Sequence, residues 1–217
     1  SSSRQFIHGF CVTISPDFRR RARLVVMVKE PFAGRVKTRL GRDIGMTSAA
    51  WWFRHQSARL LRNITDPRWD TVLAVSPDHQ GMTSRIWPAH LPRLPQGLGD
   101  LGDRMARIFR SVPPGPVCVI GADIPDVSRG HIAAAFRALG NHDAVFGPAT
   151  DGGYWLVGLK RTAPPPPAFL ANVRWSTEHA LADSEATLPG YRMSHTYTLG
   201  DVDTVQDLQR RKDTQPL

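Results

Sequence analysis

The run Val117-Cys118-Val119-Ile120 stops abruptly at Gly121-Ala122-Asp123-Ile124-Pro125 and is preceded by the turn-forming Pro113-Pro114-Gly115-Pro116. Four apolar residues without 3.6-residue periodicity, fenced in this way, are too short for a helix and read as a strand covered on both faces. Pro125 cannot continue a hydrogen-bonded ladder and biases Ile124 towards an extended shape. Asp123 therefore stands at the C-terminal lip of a buried strand, where open α/β sheets bind their ligands. Taken alone, Asp123 could equally cap a helix starting near Ser128 or brace a turn.

The rest of the chain alternates in the same manner. Residues 24–28 read as a first buried strand feeding a glycine-bearing basic loop over 29–45. A helix capped by Thr47 or Ser48 runs to Ile64, with Trp52, Phe53, Leu60, Leu61 and Ile64 at helical spacing. A strand at 71–76, an irregular stretch at 77–95 and a helix at 101–112 lead to the Asp123 strand. Beyond it come a helix at 132–139, strands at 143–147 and 154–159, a helix at 178–185, a strand at 192–199 and a final helix at 204–212. Pro164-Pro165-Pro166-Pro167 reads as a loop, because structure resumes at Phe169. Such alternation predicts a mainly parallel sheet sandwiched by helices.

With 217 residues, 41% of them hydrophobic, the chain suits one sizeable α/β domain. The expected organisation is a basic extension at 1–23, a domain at 24–212 and a tail at 213–217. No apolar stretch approaches the roughly 20 residues needed to cross a bilayer. Cys11 and Cys118 are too few and too far apart for a disulfide scaffold or a zinc site, which suggests a reducing, cytoplasmic setting. The formal charge of +9 points first to nucleic acid, but residues 1–23 hold five arginines against one aspartate and so supply four of those charges. The moderately basic remainder has no Lys/Arg run with interleaved aromatics, and a small phosphorylated ligand satisfies it as well.

Four further constellations carry chemistry. Asp201 and Asp203 follow the strand at 192–199, and residues two apart on extended backbone point the same way. Carboxylates held that close repel unless a cation lies between them, and an all-oxygen ligand set suits Mg²⁺ or Mn²⁺. Equally, Asp203 could cap the helix at Thr204. The first loop sets Lys29, Arg35, Lys37 and Arg39 among Pro31, Gly34 and Gly41, a pattern that lets backbone N–H groups and cations approach phosphate, though it lacks Walker A spacing. A solvated basic turn would look the same. Gln96-Gly97-Leu98-Gly99-Asp100 places bare backbone before a helix, suited to a nucleotide or to a flexible loop with Asp100 as cap. Asp151-Gly152-Gly153-Tyr154 offers a carboxylate beside an aromatic ring, or a plain hairpin turn.

In this order the motifs resemble the small bacterial GT-A-like nucleotide-diphospho-sugar transferases of arsenosugar type, and more distantly the phospholactate guanylyltransferases. The matching segments are Lys29-Glu30-Pro31, Gly34-Arg35-Val36-Lys37-Thr38-Arg39-Leu40, Gln96-Gly97 with Gly99-Asp100-Leu101-Gly102, and Arg104-Met105. They continue with Gly121-Ala122-Asp123-Ile124-Pro125, Asp151-Gly152-Gly153-Tyr154, Trp175-Ser176-Thr177 and Asp201-Val202-Asp203-Thr204. The resemblance implies a single-domain GT-A, Rossmann-like three-layer sandwich with a mostly parallel mixed sheet. It implies that Asp123, Asp201 and Asp203 meet around Mg²⁺ or Mn²⁺, and that Lys37 and Arg39 face donor phosphates. The residue two after Asp123 is Pro125, which departs from the Asp-x-Asp pattern of familiar glycosyltransferases.

The expected function is therefore a metal-dependent transferase working on a nucleotide-activated donor and a small-molecule acceptor, foremost a glycosyltransferase. A nucleotidyltransferase joining a nucleoside triphosphate to a small phosphorylated or acidic acceptor, and a non-catalytic nucleotide- or RNA-binding module, are the alternatives. The expected catalytic residues are Lys37, Arg39, Asp123 and Asp151. Donor-binding positions are Lys29, Gly34, Lys37, Arg39, Gln96, Gly97, Gly99 and Asp100.

Overall fold

A computed structural model describes residues 4–7, 10–13 and 21–200. Two short strands, β1 (Arg4–Ile7) and β2 (Phe10–Thr13), pair antiparallel within the segment that sequence marked only as an extension. The elements that follow are β3 (Ala22–Lys29), α1 (Thr38–Ile44), α2 (Met46–Ile64), β4 (Trp69–Ser76), α3 (Asp78–Thr83), β5 (Arg93–Pro95) and α4 (Leu101–Ser111). Then come β6 (Val117–Gly121), α5 (Arg129–Asn141), β7 (Ala144–Pro148), β8 (Tyr154–Leu159), α6 (Ala180–Ala186) and β9 (Met193–His195). The helix expected at 204–212 lies outside the described residues.

Seven strands form one open sheet in the order β5-β4-β3-β6-β8-β7-β9. Strand β3 pairs parallel with β4 and β6, β4 with β5, and β7 with β9, while β8 is antiparallel to both of its neighbours. Every strand of this sheet but β8 thus points one way. Successive residues of β3 enter opposite cores. Leu24, Val26 and Val28 pack with Leu73, Val75 and Ile120 under α2 and α5. Val25 packs with Val72, Ala74, Val119 and Phe146 against α4, Phe169 and Leu188. That period of two, with both faces apolar, is why the strands read as unbroken hydrophobic runs. Each fully buried Val, Leu or Phe contributes about 1.5–3 kcal/mol against solvent exposure.

The architecture expected from sequence is the one observed: a three-layer α/β sandwich around a mostly parallel sheet. Within the main sheet and its helices, three elements escaped the sequence reading, besides β1 and β2. Helix α1 fills part of the first loop, and α3 and β5 fill the stretch taken as irregular. Each is short, and α1 and α3 contain Gly41 and Gly81, so hydrophobic periodicity has no length in which to build. Gly81 is there for contact, since a Cβ on it would lie 2.4 Å from Val75 Cβ. The last strand is also shorter than expected, ending at His195, after which Leu199 makes an isolated parallel bridge to Ala149.

Candidate functional site

From β3 the chain builds outward through β4 to β5, then returns to lay β6 on the other side of β3. The strand order therefore reverses between β3 and β6, and such a switch point opens a crevice between the loops leaving the C-terminal ends of two adjacent strands. Those loops carry Lys37 and Asp123. Lys37 Nζ stands 3.3 Å from Asp123 Oδ1, with the lysine side chain 3% exposed and the aspartate side chain 52% exposed. The ammonium is thus enclosed beside a carboxylate that still faces the crevice. Lys37 takes a left-handed backbone conformation, φ 47°, at the start of α1, which is uncommon for a residue with a side chain and marks a locally determined turn.

The crevice has a volume of about 730 Å³, within the range of small-molecule sites. Its two walls differ in charge. Lys29, Arg35, Lys37, Arg39 and Arg104 line it from the side of β3, α1 and α4, whereas Asp151, Tyr154, Trp155, Trp175, Ser176 and Thr177 line it from the side of β8 and α6. Reversal of β8 creates the second wall. Because β8 runs against β7, their hairpin turn at Asp151-Gly152-Gly153 falls at the same sheet edge as the loops after β3 and β6. Asp151 Oδ1 accepts the Gly153 N–H at 2.9 Å, which fixes the exposed carboxylate against the turn.

Tyr154 packs edge-on against both Phe146 and Trp175, with ring centroids 5.1 and 6.2 Å apart. Its hydroxyl is hydrogen-bonded to Ser184 Oγ at 3.0 Å, and burial pushes the phenol above its ordinary pKa, so it serves the wall as a neutral ring. The Trp175 indole N–H is buried without a hydrogen-bond partner. Residues 170–177 are held to α6 by the Arg174 guanidinium, whose Nε and Nη2 each lie 2.8 Å from an Asp183 oxygen. These hydrogen bonds, with that from the Arg174 backbone, draw the Asp183 carboxyl well below the usual carboxylate range.

Of the residues expected from sequence, Lys29, Lys37, Arg39, Gln96, Gly99, Asp100, Asp123 and Asp151 all line the crevice. Gly34 and Gly97 do not. Gly34 is an open left-handed turn, and the Arg107 guanidinium covers Gly97. Two of the lining residues have structural duties as well. Gln96 Nε2 donates to Val28 O and Ala74 O, joining the ends of β3 and β4. Asp100 caps α4 reciprocally with Asp103, as the alternative reading had it. Asp201 and Asp203 lie outside the described residues, which end at Gly200 beside Thr150. Among the described residues no three His, Cys, Asp or Glu side chains are grouped to hold a metal ion.

Sequence gave no role to Arg104, Glu30 or Trp175. Arg104 follows cap residue Asp100 by one helical turn, a signal that was available. Glu30 is buried, accepting from Trp87 Nε1 at 2.5 Å and Ser84 Oγ at 3.0 Å, and so anchors the start of the basic loop. Nothing local to Lys29-Glu30-Pro31 foretells partners more than fifty residues away.

A family model described as an uncharacterized protein conserved in bacteria, DUF2064, matches residues 60–177. The chain belongs to the DUF2064 family. The match takes in Asp100, Arg104, Asp123, Asp151 and Trp175, hence the second wall and part of the first, and it begins after Lys29, Arg35, Lys37 and Arg39. No curated protein matches this DUF2064 chain. Among solved structures, a candidate nucleotide-diphospho-sugar transferase from Desulfovibrio desulfuricans G20 is 27% identical over 90% of this chain and 89% of its own, with a TM-score of 0.76. A 4-diphosphocytidyl-2C-methyl-D-erythritol synthase from Anaerococcus prevotii DSM 20548 is 9% identical over 89% of this chain and 95% of its own, TM-score 0.56. Rv0371c of Mycobacterium tuberculosis H37Rv, solved in complex with manganese, is 15% identical over 90% and 99%, TM-score 0.54. These last two share the fold.

Proposed function

We propose that this DUF2064 protein is a nucleotide-dependent transferase, and specifically a glycosyltransferase that takes its sugar from a nucleotide-diphospho-sugar. The observation that carries the reading is the cationic wall at the sheet's switch point, where Lys37 and Asp123 converge from adjacent strands. Donor phosphates lie along Lys37 and Arg39, with Lys29 and Arg35 flanking them. As the bond to the leaving phosphate breaks, negative charge grows on oxygens that these cations already face, which lowers the barrier without reorganisation of solvent. The likeness to the D. desulfuricans transferase supports the choice of donor.

A divalent cation fits the chemistry of Asp123, a hard oxygen donor open to the crevice, and the manganese in the Rv0371c structure supports one here. Asp201 and Asp203 would complete its ligands. When bound, such an ion would neutralise part of the charge on the leaving phosphate.

Five cations on one wall also suit a triphosphate, so nucleotidyl transfer is the second reading. The released product separates them, because glycosyl transfer frees a nucleoside diphosphate and nucleotidyl transfer frees pyrophosphate. The founding test is thermal shift with nucleoside diphosphates, triphosphates and sugar nucleotides, with and without Mg²⁺ or Mn²⁺. A true ligand at 100 times its Kd adds about 2.7 kcal/mol of stability. Lys37→Ala is expected to cut that stabilisation by about half or more, as a tenfold loss of affinity does at this concentration, and a panel in which no nucleotide raises the melting temperature sinks the proposal.

A further inference from the structure

The two walls of the crevice present different chemistry to whatever lies between them. All five cations among the described lining residues belong to the wall of β3, α1 and α4. The opposite wall, formed by the β7–β8 turn, β8 and residues 175–180, has no Lys, Arg or His among its described lining residues. It offers instead the rings of Tyr154 and Trp175, the Ser176 hydroxyl and the Asp151 carboxylate. Arg174, adjacent in sequence to Trp175, is not among the lining residues, and its charge is matched by the Asp183 carboxylate, which takes the Nε and Nη2 edge of its guanidinium.

A phosphate or carboxylate on the acceptor would have no counter-charge on this wall and would meet the Asp151 carboxylate, and a buried or half-buried anion without a partner is strongly disfavoured. Rings that stack on C–H faces, with hydroxyl and carboxylate groups to take hydrogen bonds, match an uncharged polyhydroxyl compound. An alcohol is a weak nucleophile at neutral pH and needs a base within reach. Of the three described carboxylates that line the crevice, Asp100 is committed to the α4 cap and Asp123 to Lys37 and, in the reading above, the divalent cation, which leaves Asp151.

Building on the transferase reading above, we infer that the acceptor is an uncharged hydroxyl compound, of the sugar or polyol class, that lies against Tyr154 and Trp175 and gives its hydroxyl proton to Asp151. The acceptor oxygen forms the new bond to the anomeric carbon of the sugar nucleotide. The bond from that carbon to the β-phosphate oxygen breaks, the electron pair leaves with the nucleoside diphosphate, and the proton passes from acceptor to Asp151 and then to solvent.

Matched probes test the acceptor class: methyl glucoside, glycerol and sorbitol against glucose 6-phosphate, glycerol 3-phosphate and gluconate, each added to ¹⁵N-labelled protein with a saturating nucleoside diphosphate. The Trp175 indole N–H resonance, assigned by its loss in Trp175→Phe, reports on this wall. The neutral probes are expected to move it and their anionic counterparts to leave it unmoved. An anionic probe that moves it at lower concentration than its neutral parent, or a neutral set that never moves it, overturns the inference while nucleotide binding leaves the transferase reading standing. Absence of nucleotide binding overturns both. With the best neutral probe as acceptor, Asp151→Asn is expected to lower turnover at least a hundredfold while the Trp175 shift persists, and full turnover in that variant removes Asp151 as the base.

Discussion

Gly102 sets how closely α4 approaches the far wall. A Cβ on it would stand 2.2 Å from the Leu170 carbonyl oxygen, closer than atoms can sit, and a tight 3.0 Å from Trp175 Cζ2. In a free helix, replacing Gly by Ala stabilises by about 1 kcal/mol. Here the obstacle is backbone and cannot swing aside, so overpacking, typically about 1–3 kcal/mol, outweighs that gain. Gly102→Ala is expected to lower the urea midpoint without changing the slope; a variant as stable as the parent would show that residues 170–177 yield freely. The clash could not be read from Gln96-Gly97-Leu98-Gly99-Asp100-Leu101-Gly102, where Gly102 looked like the third of three glycines offering backbone to a ligand. Asp123 was legible because its constraint is local, a strand end and a proline. Gly102 and Glu30 were not, because their partners come from other elements.

At the scale of elements, short apolar runs fenced by Gly and Pro placed the main strands and their C-terminal ends well, with β8 matching its expected bounds. Direction was less visible. A buried strand flanked on both faces has the same pattern whether parallel or antiparallel, and the tight turn at Asp151-Gly152-Gly153 was the only sign that β8 runs backwards. That reversal supplies the second wall, which Trp175, Ser176 and Thr177, at the end of the segment 170–177, then line. This segment carries positive φ at Leu170, Asn172 and Ser176, so its conformation depends on what holds it. Its brace is the Arg174–Asp183 pair. With the Asp183 carboxyl lowered in the folded state by its Arg174 hydrogen bonds, the pair's contribution is complete above the unfolded value, about pH 4, and is lost as pH falls through the folded value below it. The stability gap between the parent and Asp183→Asn is therefore expected to stay constant above pH 5 and to close under more acid conditions. Denaturant titrations at several pH values measure it, and a gap that widens on acidification would exclude the pair as its source.

For the molecule as a whole, the two edges of the sheet divide the labour. The C-terminal edge gathers the crevice. At the other edge Arg23, 1% exposed at the start of β3, donates to the carbonyls of Arg21, Pro113 and Pro114 and so ties the turn before β6 to the sheet. Burial lowers its pKa, and a charge kept there despite that cost serves the three carbonyls it satisfies. Sequence placed Arg23 at the end of the basic extension at 1–23, whereas β3 begins at Ala22, so the residue is part of the framework. A double dissociation follows. Arg23→Ala strands those carbonyls and leaves a cavity, at a cost of about 2–4 kcal/mol, or roughly 5–10 °C in Tm for a domain of this size. The fraction that remains folded is expected to bind nucleotide with unchanged affinity. Lys37→Met, which keeps most of the enclosed side-chain volume while removing the charge, is expected to do the reverse, weakening nucleotide binding at least tenfold with Tm within about 2 °C, because the Asp123 it leaves behind is half exposed and hydrates readily. Calorimetric titration and thermal melts on the two variants settle the matter. Loss of affinity in Arg23→Ala at a temperature where the protein is fully folded would mean that the two edges are coupled through the sheet, and that the crevice is not the self-contained site its geometry describes.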